Sequence, residues 1–224
     1  MLNLNTLYKN HFGSRKISDD KLRKFAEINL ERLKANNGGG ELDQLIADTT
    51  AALQMYAAAI TDEDVKYAKQ QGLTIKVKNI LKDFKELISR GEGIIRGQFG
   101  KKGEEYQEFF PYQKDEYWQC SLKNADLLMD RFLKAAEKYA PQIGDDLKNR
   151  LQAMLTDFKS AREEQLLKKA EVTDGKTTTR KKRKELEIQL MKNLYYIGYL
   201  YPGNIDKCNN FFDQSFLRKK KKSE

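Results

Sequence analysis

Apolar residues recur at helical spacing along most of this chain. Between residues 42 and 60, and again between residues 77 and 88, an apolar side chain returns every three or four positions, with polar residues in between. This spacing places the apolar side chains on one face of a helix and the charged side chains on the other. We therefore predict an all-α fold, an up-and-down bundle of about six helices.

Capping residues and glycines predict where these helices begin and end. Ser18 followed by two aspartates is a helix start, because a side-chain oxygen and carboxylates satisfy free backbone N–H groups there. Residues 36–40 contain three glycines and end the first helix. Further turns are predicted at residues 72–74 and 173–177, and Pro141 is predicted to close another helix.

A heptad-like seam marks one of the predicted helices. Its apolar positions alternate steps of four and three: Trp118, Leu122, Ala125, Met129, Phe132, Ala136 and Tyr139. Such a seam packs against a partner helix. The partner can belong to the same chain or to a second copy, so the seam is compatible with both intramolecular packing and self-association.

Two segments end in a Phe-Phe pair, and this suggests a repeat. Residues 97–112 and 203–215 each follow a helical segment, contain a glycine at the turn and then reach Phe-Phe. Apolar positions after residue 42 also have counterparts 105 residues later. We predict a single helical-bundle domain over residues 18–217, built by duplication of a three-helix unit. The repeat halves are 18–112 and 113–217, with a polar leader at 1–17 and a basic tail at 218–224.

The positive charge is concentrated in two clusters. Residues 180–184 and 218–222 contribute five cations each, and without these ten the formal net charge of +9 becomes −1. Cations at the start of a helix oppose the helix dipole, so residues 180–184, predicted to begin the last helix, are not explained by helix stability. They could instead neutralise phosphates. The candidate nucleic-acid-binding residues are Arg180, Lys181, Lys182, Arg183, Lys184, Arg218, Lys219 and Lys220.

Aromatic residues cluster around the two Phe-Phe segments. Aromatic side chains are common anchors of protein interfaces, but they also close the ends of helical bundles. The sequence leaves both interpretations open. The candidate partner-binding residues are Tyr106, Phe109, Phe110, Tyr112, Trp118, Phe211 and Phe212.

The sequence contains no catalytic signature. His11 is the only histidine, which excludes Glu-x-x-His di-iron sites, ordinary zinc sites and histidine-based triads. The two cysteines lack metal-ligand spacing and favour a reducing compartment. We expect a non-enzymatic protein without a catalytic residue, cofactor or metal.

The sequence pattern also contains no recognisable export signal or membrane-spanning segment. The first residues lack a basic segment followed by an apolar one, and the longest apolar stretch is far shorter than the roughly 20 residues that span a bilayer. We expect a cytoplasmic protein that does not bind membranes.

The segment from Arg96 to Tyr112 resembles one found in small uncharacterised bacterial helical-bundle proteins. It reads Arg-Gly-Gln-Phe-Gly and then Glu-Tyr-Gln-Glu-Phe-Phe-Pro-Tyr, and it covers about a tenth of the chain. The resemblance implies a helical fold and no activity. The function expected from the sequence is binding or scaffolding of protein partners through the helical surface and the aromatic loops. The alternative is sequence-independent nucleic-acid binding through the two basic clusters.

Overall fold

Helices joined by short loops form the structure, a computed structural model that describes residues 3–14 and 16–217. Within these residues there is no β-strand, and two long helices pack together, so the predicted all-α bundle class is confirmed. The helices are α1 Leu4–Leu7, α2 Asp19–Ala35, α3 Asp43–Phe99, α4 Glu104–Phe109, α5 Asp115–Trp118, α6 Ala125–Ile143, α7 Asp145–Leu200 and α8 Ile205–Asn209, with a 3₁₀ helix at Gln214–Phe216.

The start of α2 follows the capping pattern in the sequence. Ser18 Oγ accepts a hydrogen bond from the Lys21 backbone N–H at 3.4 Å, and two aspartates occupy the first turn. The helix ends at Ala35, and Gly40 then has a φ of 80°. A positive φ is inexpensive only for glycine, which explains why the chain reverses there.

The two long helices contain 57 and 56 residues, and both predicted internal turns are wrong. Helix α3 continues through residues 72–74, and α7 continues through residues 173–177. Packing explains the continuity: Gln165 Nε2 donates to Thr74 Oγ1 at 2.9 Å, and Thr179 Oγ1 donates to the Ala59 carbonyl at 3.2 Å. These contacts between the helices outweigh the cost of about 1 kcal/mol for a helical glycine.

The chain divides into two structural units. The terminal unit comprises Met1–Val65 and Thr173–Glu224, and the central unit comprises Lys66–Val172. One boundary between the units lies within α3 and the other lies within α7, so each unit contains part of each long helix.

In the terminal unit, α2 packs on the antiparallel halves of α3 and α7. Antiparallel order follows from the contacts, because Asn193 reaches Thr49 whereas the earlier Thr179 reaches the later Ala59. The core is apolar and aromatic, and its fully buried side chains include Leu22, Phe25, Leu33, Tyr56, Leu186, Leu190, Ile197 and Phe211.

A buried polar network lies inside this core. The Asn193 amide donates to Asn29 Oδ1 and to Thr49 Oγ1, both at 2.8 Å, and Gln189 Nε2 donates to Asn193 Oδ1 at 3.0 Å. Asn29 Nδ2 in turn donates to the Phe211 carbonyl at 3.0 Å. Since buried amides are costly unless they are hydrogen-bonded, the network fixes the register of three helices and of the last loop.

In the central unit, α4, α5 and α6 cover the other halves of α3 and α7. The seam predicted from residue 118 begins at Ala125, because Trp118 belongs to α5 and is 44% exposed. Pro141 lies in the last turn of α6, which ends two residues later at Ile143. The core includes Phe84, Ile88, Ile95, Phe109, Phe110, Met129, Phe132, Leu151, Leu155 and Phe158.

Buried positions recur in the two halves of the chain at a separation of 102 residues. The two Phe-Phe pairs are separated by 102 residues. The same separation relates pairs of core positions in the long helices: Leu53 and Leu155, Tyr56 and Phe158, Phe84 and Leu186, Ile88 and Leu190, Ile95 and Ile197. Helical periodicity alone produces some of these matches. The duplication of halves 18–112 and 113–217 therefore stays a prediction.

Replacing Gly72 by alanine tests the continuity of α3. A Cβ added at Gly72 meets no atom within 4 Å, and alanine is the better helix former. Gly72→Ala should raise the free energy of unfolding by about 0.5–1 kcal/mol, measured by urea denaturation.

Gly40→Ala is the matched control, because the φ of 80° at Gly40 strains any residue with a Cβ. It should lower the free energy of unfolding by about 1 kcal/mol. A loss of stability in Gly72→Ala would show that residue 72 does not lie within a regular helix.

Candidate functional site

The aromatic rings of the two Phe-Phe segments are mostly inside the cores. In the central unit, Phe109 packs 5.2 Å from Phe132 between ring centroids, and Tyr106 donates a hydrogen bond to Glu92 at 3.1 Å. In the terminal unit, Phe212 stacks on Phe25 at 6.2 Å. Five of the seven candidate partner-binding residues are buried: Tyr106, Phe109, Phe110, Phe211 and Phe212. In this structure these five rings are part of the hydrophobic cores.

The other two candidates are on the surface of the central unit. Tyr112 is 72% exposed and Trp118 is 44% exposed. The Arg131 guanidinium lies 5.7 Å from the centre of the Tyr112 ring and forms an ion pair with Glu116. Partial burial acts to lower the pKa of Arg131, but the hydrogen bonds and charge interactions with Glu116 and Tyr117 together outweigh it, and the pKa is raised. Tyr112 is thus held by a cation that already has a carboxylate partner.

The first basic cluster lies in the interior of α7, not at a helix start. Residues 180–184 follow 35 helical residues of α7, which begins at Asp145, so the helix-dipole argument made from the sequence does not apply. Lys182 pairs with Glu185 at 2.8 Å. Arg180, Lys181 and Lys184 are exposed. The five cations therefore differ in role.

Arg183 connects three segments of the terminal unit. Its guanidinium donates to the Ile17 carbonyl at 2.7 Å, to Glu187 at 2.9 Å and to Asp19, and its side chain is 19% exposed. Tyr56 of α3 donates to the same Asp19 carboxylate. Burial, together with the hydrogen bond to this carboxylate, raises the pKa of the Tyr56 hydroxyl. Arg183 therefore links the start of α2 to α7 and stabilises the fold.

The exposed cations belong to a longer surface strip, which we call the basic-aromatic face. Its members follow steps of three and four along one side of α7, the spacing of a helix face. They are Lys181, Lys184, Ile188, Lys192, Tyr195 and Tyr199, and all six are exposed. At 1.5 Å per residue the strip is about 27 Å long.

Acidic neighbours do not neutralise this face. The acids of α7 between residues 180 and 200 are Glu185 and Glu187, which pair with Lys182 and Arg183. Lys181, Lys184 and Lys192 have no ion-pair partner among the residues that the structure describes.

Exposed tyrosines occupy the end of the face. Tyr199 is 78% exposed, and its ring centroid lies 6.3 Å from that of Tyr196. The Tyr195 ring lies edge-on to Tyr8 at 6.3 Å. The face therefore combines positive charge with accessible aromatic surface.

Sequence reasoning missed Lys192, Tyr195 and Tyr199. Their spacing from Lys181 and Lys184 places them on the same side of a helix. This spacing identifies an exposed face only when Leu186, Leu190 and Ile197 are known to face the core. The second basic cluster, including Arg218, Lys219 and Lys220, lies outside the described residues.

Cys120 does not show the features of a nucleophile. Both cysteines are free thiols, and burial raises the pKa of Cys120 to about 11, which favours the unreactive protonated form. Within residues 3–14 and 16–217, no three His, Cys, Asp or Glu side chains are grouped so that they could hold a metal ion. No helix in these ranges is long and apolar enough to cross a membrane.

Comparison of the chain with protein-family models, with curated proteins and with solved structures finds no match. The resemblance of residues 96–112 to bacterial helical-bundle proteins stays a prediction.

Arg183→Ala tests the structural role of Arg183. The change leaves Glu187 and the Ile17 carbonyl without their partner in a largely buried site. We expect the free energy of unfolding to fall by about 2 kcal/mol, less than for a fully buried pair because Asp19 is partly exposed.

Lys181→Ala removes the same charge two residues away, from an exposed position. It should change the free energy of unfolding by no more than about 0.5 kcal/mol. Urea denaturation measures the free energy of unfolding of both variants. If Lys181→Ala lowers it as much as Arg183→Ala does, the structural role of Arg183 is contradicted.

Proposed function

We propose that this protein binds nucleic acid through the basic-aromatic face of α7, without reading sequence and with a preference for single strands. The observation that carries the proposal is the alignment, on one helix face, of two exposed tyrosines and three lysines that have no ion-pair partner within the described ranges. A cytoplasmic location, where nucleic acid is accessible, is part of this proposal.

The lysines supply affinity by neutralising phosphates. Each phosphate contact releases condensed counterions, so binding depends strongly on salt and little on base sequence. Lysine presents a mobile point charge without the fixed fork that arginine uses to read guanine, which fits sequence-independent contacts.

The tyrosines supply the preference for single strands. An aromatic ring stacks on any base whose face is accessible, and each such contact contributes about 1–3 kcal/mol. The bases of a duplex are already stacked on one another. Tyr195 and Tyr199 therefore gain contacts with a single strand that a duplex does not offer.

The triple variant Lys181→Ala, Lys184→Ala and Lys192→Ala tests the face. Fluorescence anisotropy with labelled oligo(dT) and oligo(rU) of roughly twelve nucleotides gives the affinity at several salt concentrations. The triple variant should bind at least about tenfold more weakly, and the slope of log K against log salt should fall by about 2, since each single-strand phosphate contact contributes about 0.7.

Two further variants separate local contacts from net charge. Lys76→Ala, Lys78→Ala and Lys82→Ala removes the same charge from exposed positions of α3 in the central unit and should leave binding nearly unchanged. Tyr199→Ala should weaken single-strand binding by about fivefold or more without changing the salt slope. The native chain should bind a duplex of equal length more weakly.

Three results would contradict the proposal. The first is that the native protein does not bind the labelled strands at low salt. The second is that the two triple-lysine variants lose affinity equally. The third is that the triple-lysine variant of the basic-aromatic face binds as tightly as the native chain. The last result would place binding outside the basic-aromatic face.

A second candidate function is binding of a protein partner or self-association. Exposed apolar side chains on the long helices of the central unit favour it, namely Tyr67, Ile75, Leu166 and Leu167. Apolar residues on a helix surface are frequent contacts between chains.

Light scattering after size-exclusion chromatography tests self-association. The native chain should elute as an oligomer, and Leu166→Lys with Leu167→Lys should elute as a monomer because two charges would be desolvated at the contact. The control Glu163→Ala with Glu164→Ala, at two exposed positions of the same helix, changes the net charge by the same amount and should keep the native mass. A monomeric native chain at about 100 µM would contradict self-association.

A further inference from the structure

A cavity of about 360 Å³ opens in the terminal unit beside its Phe-Phe pair. Three aromatic side chains form its walls: Phe25 lies 5.3 Å from Phe12 and stacks on Phe212 at 6.2 Å with an interplanar angle of 15°. Leu194, Cys208 and Leu217 complete the apolar lining. The volume is within the range of small-molecule sites, about 300–1,000 Å³.

The central unit shows what fills the corresponding place there. Tyr106 stands 102 residues before Cys208, the same separation that relates the two Phe-Phe pairs. The Tyr106 ring packs 4.9 Å from Phe110, and its hydroxyl donates to Glu92. The terminal unit has the small Cys208 in place of the tyrosine and Leu194 in place of Glu92. By this 102-residue relation, the cavity lies at the position that the Tyr106 ring occupies in the central unit.

Polar groups stand around this apolar lining. His11, Asn209 and Gln214 line the same cavity, and an imidazole and two carboxamides can both donate and accept hydrogen bonds. An apolar cavity with a few convergent polar groups is the usual composition of a ligand site.

We propose that this cavity binds a small molecule with a flat aromatic body and one hydrogen-bonding group. The ring packs between Phe12, Phe25 and Phe212, in the volume that Tyr106 occupies in the central unit. The polar group meets His11, Asn209 or Gln214. The site is independent of the basic-aromatic face, and neither proposal depends on the other.

Cys208→Tyr is the central variant, because it introduces the residue that the central unit has at the corresponding position. The probe is N-phenyl-1-naphthylamine, an aromatic amine with a flat naphthalene ring, whose fluorescence rises in apolar surroundings. The native protein should bind one equivalent, saturably, with a Kd below about 100 µM, and Cys208→Tyr should bind at least tenfold more weakly.

Two controls accompany this variant. Ile205→Tyr adds a tyrosine to the same helix, α8, at a residue that is exposed and does not line the cavity. Cys208→Ser keeps the small size of residue 208. Both should bind the probe within about twofold of the native affinity.

The proposal is overturned if the native protein gives no saturable signal, or if Cys208→Tyr binds as tightly as Ile205→Tyr. Circular dichroism shows whether Cys208→Tyr is folded. Should it fail to fold, intermolecular NOEs in the native complex decide the question. Contacts from the probe to Phe25 and Phe212 support the site, and their absence in a bound complex overturns it.

Discussion

The antiparallel packing of α3 on α7 is the constraint on which each unit depends. Neither long helix is strongly apolar along its whole length, and each gains stability by burying a narrow stripe against the other. Thr74 and Thr179 show how closely the backbones are matched, since each threonine hydroxyl bonds to the opposite helix. The shorter helices then cover the apolar surface that the pair of long helices leaves exposed.

The two units solve the same packing problem with different chemistry. The terminal unit contains the hydrogen-bonded network around Asn193, whereas Gly91, 102 residues earlier, packs against the apolar Leu147 in the central unit. A similar contrast separates Cys208 from Tyr106. In the terminal unit polar side chains specify register and a small residue leaves a cavity, while the central unit is filled by rings. The cavity proposal concerns the terminal unit for this reason.

Charge on α7 is divided between the fold and the surface by the helical period. Arg183 is mostly buried and is hydrogen-bonded by each of its three nitrogens, to Ile17, Asp19 and Glu187. Lys181 and Lys184 are neighbours in sequence but face solvent, where they continue into the strip that ends at Tyr199. Consecutive basic residues on a helix therefore do not form a single binding site. Each residue is rotated by about 100° around the helix axis from the one before, so adjacent cations lie in different environments.

The sequence by itself determined the helical class, the cap at Ser18, the chain reversal at Gly40 and the apolar stripes, because these are local properties of spacing and backbone preference. Only the tertiary structure decided that α3 and α7 continue through Gly72 and Gly175. The contacts that outweigh the helix-breaking tendency of glycine come from residues far away in sequence. The burial of the Phe-Phe rings, the exposed face of α7 and the cavity beside Cys208 depend on such contacts in the same way.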